Sequence, residues 1–250
     1  MRGSSIIRGI QIAEYLKAKS NPESNYNDDI CIYVKPNTQD LYAKKIQLAP
    51  NAYIDVIDGA NLKIFASHNP HIPLIACSKK DYEYLSNSLK NKVVFIPQHH
   101  CNIERIIDDP RPIEKIGMIG TPETFDYFPN EIRKKWNIKI EMDFKTREDV
   151  INFYRSIDLQ IIWRPWKDKL SNPLKLVNAC AFGIPTIALQ EEALEELKDF
   201  YQSVTSIAEL DNAIREIMGK TIAKDRYYEK SEEYHISKIA QEYLKLEVYA

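Results

Sequence analysis

Four polar side chains, Ser171, Asn172, Lys175 and Asn178, recur in the stretch KLSNPLKLVNACAFGIPTIALQEEALEE (residues 169–196) at a spacing that can bind an anion. At about 3.6 residues per turn, Ser171, Lys175 and Asn178 gather on one helical face, and Pro173, Leu176, Val177 and Cys180 on the opposite one. Asn172 is a good N-cap, Pro173 suits a first turn where no N–H is needed, and Gly183 closes the far end. Such a helix offers unused N–H groups, hydroxyl and amide side chains and one cation at a single spot, which is the chemistry of a diphosphate site. The same pattern also fits an ordinary α/β unit whose polar stripe meets only water.

The elements that would position this helix alternate along the chain. A helix over SSIIRGIQIAEYLKAK is expected, with Ile6, Ile10, Ala13 and Leu16 on its apolar face and Ser4 or Ser5 as cap. Apolar, β-branched runs at Ile30–Val34, Tyr53–Ile57, Leu62–Phe65, Leu74–Cys77 and Val93–Ile96 read as strands, with a helix at Lys79–Leu89. Cys101–Glu114, with its Asp-Asp-Pro-Arg-Pro, reads as a linker. Alternation then restarts with strands at Ile116–Ile119, Ile138–Met142 and Leu159–Trp163. Helices are expected at Phe128–Trp136, at Arg147–Ser156 capped by Thr146, at Ser206–Met218 and at Ser231–Tyr249. The Gly-Pro corner after residue 182 leads to a short buried strand and a second helix. Strands alternating with helices imply parallel sheets with crossovers.

Bulk properties bound the function. A chain of 250 residues can form one large domain or two of roughly 100–130 residues, either able to bury a core. A formal charge of -2 gives no basic excess for nucleic acid. Cys31, Cys77, Cys101 and Cys180 have no C-x-x-C spacing and read as reduced core thiols of a cytoplasmic protein without a metal site. No run approaches the ~18 apolar residues of a membrane span, which leaves only peripheral membrane contact. Seven glycines without a G-x-G-x-x-G or G-x-x-x-x-G-K-[ST] mean that helix termini and side chains must hold any phosphate.

The run Pro173-Leu174-Lys175-Leu176-Val177-Asn178-Ala179-Cys180-Ala181-Phe182-Gly183-Ile184-Pro185-Thr186-Ile187-Ala188 resembles the nucleotide-sugar-binding segment of GT-B glycosyltransferases, "PLKLxEAxAxGxPVIA". Residues 148–158 are similar to the helix that precedes the donor-site strand, residues 76–82 to an element late in the first domain, and Phe95-Ile96-Pro97 to the strand before the linker. Many members carry two glutamates eight positions apart, the second contacting the ribose; here those positions are Leu170 and Asn178. The resemblance implies two Rossmann-like domains flanking a cleft: residues 1–108 on the acceptor side and 109–225 on the donor side. Residues 226–250 would form a terminal helix that crosses back to the first domain. Relatives usually begin with a strand and a glycine-rich loop, whereas the first helix here begins almost at Met1, so either the first sheet lacks its opening strand or the sequence is trimmed ahead of it.

The resemblance assigns donor and phosphate binding to Arg164, Ser171, Asn172, Lys175, Asn178, Gly120, Thr121 and Arg8. Arg164 follows a strand, at the carboxyl end where ligands of open α/β sheets sit. The Gly120-Thr121 loop lacks the cation that relatives place there, which shifts phosphate work to Arg164, Lys175 and Arg8. Ser4, Ser5 and Asp58 are acceptor-side candidates. At most one of His68, His99 and His100 would serve as acceptor base. The implied activity is transfer of a sugar from a nucleotide sugar to a hydroxyl of a glycan or glycolipid, with no metal or other cofactor. The rival reading is a non-catalytic GT-B-like partner protein.

Overall fold

The computed structural model describes residues 5–24, 26–57, 60–164 and 171–248. These form two compact units, the first from residues 5–99, 171–172 and 236–248, the second from 100–164 and 173–235.

In the first unit a π-helical segment, Ser5–Gln11, runs into helix α1 (Ile12–Leu16). Strands β1 (Cys31–Val34), β2 (Ala52–Asp55), β3 (Leu74–Ala76) and β4 (Val93–Phe95) alternate with α2 (Thr38–Tyr42), α3 (Ala60–His68) and α4 (Lys79–Ser88). The sheet is wholly parallel in the order β1-β2-β3-β4. Leu62–Phe65, expected as a strand, lies inside α3. A parallel step from β2 to β3 requires a crossover, and Leu62, Phe65 and Ala66 close one face of the sheet against Ile54, Val56, Leu74 and Ala76. The opening helix also departs from expectation: its wide turns bury Arg8 and Ile12 and leave Ile6 and Ile10 half-exposed.

The second unit holds β5 (Ile116–Ile119), α5 (Pro122–Phe125), α6 (Asn130–Lys135), β6 (Lys139–Glu141), α7 (Arg147–Arg155), β7 (Leu159–Ile162), α8 (Leu174–Ala181), β8 (Thr186–Leu189), β9 (Gln202–Val204), α9 (Ile207–Ile217) and α10 (Asp225–Ser231). Its parallel sheet runs β6-β5-β7-β8-β9. Thr146 caps α7 in a complete capping box with Asp149. The helix expected at Phe128–Trp136 is α6, which starts only at Asn130 because Pro129 precedes its first turn, and the short α5 lies ahead of that range. The helix expected after β8 is a 3-10 segment, Glu192–Phe200. The terminal helix α11 (Ile236–Leu244) belongs with the first unit, where it packs on α1 and Tyr53 Oη donates to Glu247 O at 2.9 Å.

Both faces of the second sheet are covered, as a parallel sheet requires. Ile116, Met118, Leu159, Ile161 and Ile187 pack against Phe128, Ile132, Leu210 and Ile214 on one side. Ile119, Phe153, Tyr154, Ala179 and Phe182 pack together on the other. The contact of α7 with β5 depends on Gly117, where a Cβ would stand 2.5 Å from Ile157 Cγ2 and 2.9 Å from Phe153 Cζ. Gly117→Ala is therefore expected to lower stability by about 1–3 kcal/mol through overpacking, read as a lower urea midpoint with an unchanged slope.

Candidate anion-binding site

Strands β5, β7 and β8 are neighbours, so the residues that follow them share one edge of the second sheet: Gly120, Arg164 and Glu191. Helix α8 returns from β7 toward β8, which sets its first turn at that edge. The first intrahelical bond there is Val177 N–H to Pro173 O at 3.0 Å, so the N–H groups before it have no partner within the helix.

Arg164 Nε donates to Glu191 Oε2 at 2.8 Å, with the two side chains 13% and 9% exposed. Lys175, in the first turn of α8, brings its ammonium over Gly120. A Cβ on that glycine would lie 2.9 Å from Nζ and 2.9 Å from Thr124 Oγ1. The bare backbone of Gly120 is what gives the cation its place. Burial and the charge of Arg164 push the Lys175 ammonium down to about 7, against the pull of Glu191. Among the described residues two cations thus face one carboxylate in this corner, an arrangement that suits an anion.

A buried polar chain seats α8. Thr186 Oγ1 donates to Gln160 Oε1 at 3.4 Å, Gln160 Nε2 to Tyr154 Oη at 3.3 Å, and Tyr154 Oη to Lys175 O at 3.2 Å. The Tyr154 ring stacks on Phe182 with centroids 5.6 Å apart. Burial raises the Tyr154 phenol well above its usual range, so it stays a neutral donor. Gly183, at φ +63°, ends the helix in a Schellman motif: Ile184 N–H bonds Ala179 O and Gly183 N–H bonds Cys180 O, both at 2.9 Å.

Of the residues singled out from sequence, the fold gathers Gly120, Arg164 and Lys175. Thr121 is exposed beside them, at the start of α5. Pro173, not Asn172, occupies the N-cap position of α8, because the chain enters the helix one residue later than expected. Ser171 and Asn172 are half-buried and count with the first unit. Asn178 is 6% exposed and its Oδ1 accepts Cys101 N–H at 2.8 Å. It therefore sits inside the packing of α8 and not on the polar face that the helical wheel gave it.

Arg8, in the first unit, is also buried. Its Nε pairs with Asp55 Oδ2 at 2.5 Å and its Nη1 donates to Ile96 O at 2.8 Å. Asp55 holds the guanidinium firmly charged despite the burial. In the same unit, His99 is buried with Nε2 3.0 Å from Ile7 O. His68 is exposed at the end of α3, and Ser5 is half-buried. In the second unit, buried His100 packs against His235 with ring centroids 5.5 Å apart. Ser4 and Asp58 lie outside the described residues.

Sequence reasoning passed over Glu191, Gln160 and Tyr154. Glu191 had a signal, since it follows β8 just as Arg164 follows β7. Gln160 had one too, as the polar residue of an otherwise apolar buried strand.

The depressed Lys175 predicts a stability signature. The unfolded chain carries this lysine charged up to about 10.5 while the fold disfavours its charge. The penalty is absent above that pH, grows as pH falls toward about 7, and is constant below. Lys175→Met is expected to stabilise the protein at pH 7 by on the order of 1 kcal/mol or more. Chemical denaturation at several pH values checks this, and the gain should shrink toward pH 10.5.

No protein-family model and no curated protein sequence matches the chain. Solved structures do. A mutant of S. aureus TarM with fondaparinux, α-GlcNAc-glycerol and UDP matches at 12% identity over 85% of this chain and 54% of that one, with a TM-score of 0.61. Anabaena HepE with UDP and glucose matches at 12% identity over 97% and 82% of the two chains, with a TM-score of 0.64. A glycosyltransferase from Rickettsia africae matches at 12% identity over 98% and 94%, with a TM-score of 0.58. The chain spans about half, 54–56%, of the TarM and GtfA chains that it matches. At such identity the likeness is one of fold, and the fold is that of the GT-B glycosyltransferases.

Proposed function

We propose that the second unit binds the diphosphate of a nucleotide sugar and that the chain transfers the sugar to a hydroxyl of a glycan or glycolipid acceptor, without a metal. The observation that carries this reading is the half-buried Lys175, its ammonium over Gly120, beside the Arg164–Glu191 pair at the first turn of α8. In sugar transfer the leaving diphosphate gains negative charge, and prearranged cations and helix N–H groups stabilise that charge best where water is scarce. Lys175 would take up a proton as the diphosphate arrives and hold it through bond cleavage. Arg164 would turn some of its hydrogen bonding from Glu191 to a phosphate oxygen. Structures of the same fold that contain UDP and sugars support the choice of ligand.

A second reading, a nucleotide-binding partner protein that performs no transfer, is favoured by the histidines. His99 and His100 are both buried, and His100 is packed on His235. A base for the acceptor would then have to come from elsewhere.

Thermal shift with UDP, GDP, CMP and their sugars tests the shared part of both readings. A nucleotide at ~100 times its dissociation constant should add ~2.7 kcal/mol, and no shift with any of them at millimolar concentration would sink both. Arg164→Ala is expected to weaken binding at least about tenfold, the loss of one charge-assisted contact. Gly120→Ala should do the same while the fold persists, because its methyl group displaces the Lys175 ammonium. Calorimetry at pH 7 in two buffers of different ionisation enthalpy should reveal proton uptake on binding, and Lys175→Met should abolish that uptake. Turnover of the matched nucleotide sugar with a glycan acceptor separates the transferase from the partner protein.

A further inference from the structure

Thr124, in the short helix α5, is buried at 5% exposure. Its N–H donates to Thr121 O at 2.9 Å, and its chain neighbour Phe125 packs on the core of the second unit. The residue is therefore held in place, yet among the described residues its Oγ1 has no hydrogen-bond partner. The same is true of Lys175 Nζ. Both atoms stand over Gly120, where a Cβ would lie 2.9 Å from each of them and 3.1 Å from Thr124 Cβ. A single oxygen atom can reach both. The N–H of Gly120 is already given to Glu141 O at 3.1 Å, so the loop backbone does not supply a donor there.

An ammonium has donors only, and a hydroxyl has one donor to place. Poorly solvated donors that converge on one point call for an acceptor. We infer that the Thr124 hydroxyl donates to the phosphate oxygen that the Lys175 ammonium neutralises, so that Thr124 is a further binding residue for the diphosphate. The assignment rests on the diphosphate reading of the second unit and adds a neutral donor to it. The sequence pointed to Thr121 for that part, but Thr121 is exposed, whereas Thr124 stands over the bare backbone of Gly120. A hydroxyl suits the place because it adds a hydrogen bond without a third cation beside Lys175 and Arg164, which would repel both. Threonine is also stiff at χ1, so the donor is aimed before the ligand arrives.

Calorimetric titration of the full chain with inorganic pyrophosphate, and with the nucleoside diphosphate that gives the largest thermal shift, reads this contact. Thr124→Val keeps the shape and removes the hydroxyl, and it should weaken both ligands about tenfold, the scale of one hydrogen bond to a charged group. Thr124→Ser restores the hydroxyl and should bind within about threefold of the original chain. The double variant Thr124→Val/Lys175→Met should lose less than the product of the two single losses, since both groups serve one oxygen. Urea midpoints show that each variant folds. Undiminished binding by Thr124→Val overturns the inference and leaves the diphosphate reading intact. So does a loss that Thr124→Ser shares, which marks a packing role, or a double variant whose losses simply multiply. An unaltered chain that binds neither pyrophosphate nor any nucleoside diphosphate overturns the diphosphate reading and this contact with it.

Discussion

One helix that cannot move fixes the candidate site. Residues 176–181 of α8 are all at or below 6% exposure, so the helix is clamped on every side except its first turn. Ala179 and Ala181 let it approach its neighbours closely, the Schellman motif at Gly183 fixes its far end, and Asn178 ties its middle to Cys101 N–H. Tyr154 Oη holds Lys175 O near the start. With those restraints the position of the first turn is set by the core, and among the described residues the lysine it carries has no ion pair of its own.

That arrangement costs stability at the proposed anion site. Arg164 and Glu191 nearly neutralise each other, leaving Lys175 as the charge with the least compensation, and its titration near 7 records the strain. A poorly solvated cation with no ion pair among the described residues is a poor stabiliser of a fold. Its retention in a corner cleared by Gly120 is intelligible if an anion completes it. The backbone cooperates, since the first-turn N–H groups of α8 carry partial positive charge toward the same point.

Much of this was legible in the sequence, and the exceptions have physical causes. The alternation of strands and helices gave two parallel units, and the Leu-Lys-Leu run with its Gly-x-Pro corner located α8 and its Gly183 stop. Thr146 announced its capping box. Leu62–Phe65 misled because a short apolar run has the same composition in a strand and in a buried crossover helix. Asn178 misled because a helical wheel shows which residues share a face but not whether a second layer covers that face. Here His100–Glu114 contributes such a layer through Cys101. Glu191 and Gln160 left a faint local signal each, but their partners depend on sheet order: β7 lies between β5 and β8, and no local spacing encodes that.

Arg8 and Arg164 show the limit most plainly. Both stand near strand ends, both pair with an acid, and from sequence both were assigned to phosphate. In the first unit the pair Arg8–Asp55 has one charge of each sign, with side chains 1% and 0% exposed, and Tyr243 packs its ring 5.7 Å from the guanidinium. Such a pair is electrically complete, and an anion entering there would meet a carboxylate already in place. In the second unit the same Arg–acid pairing has a lysine added, and the balance tips to positive. Among the described residues the two clusters therefore differ by a single charge, placed by a helix turn and a missing Cβ. Counting charges within each buried cluster, and not along the chain, is what separates the two.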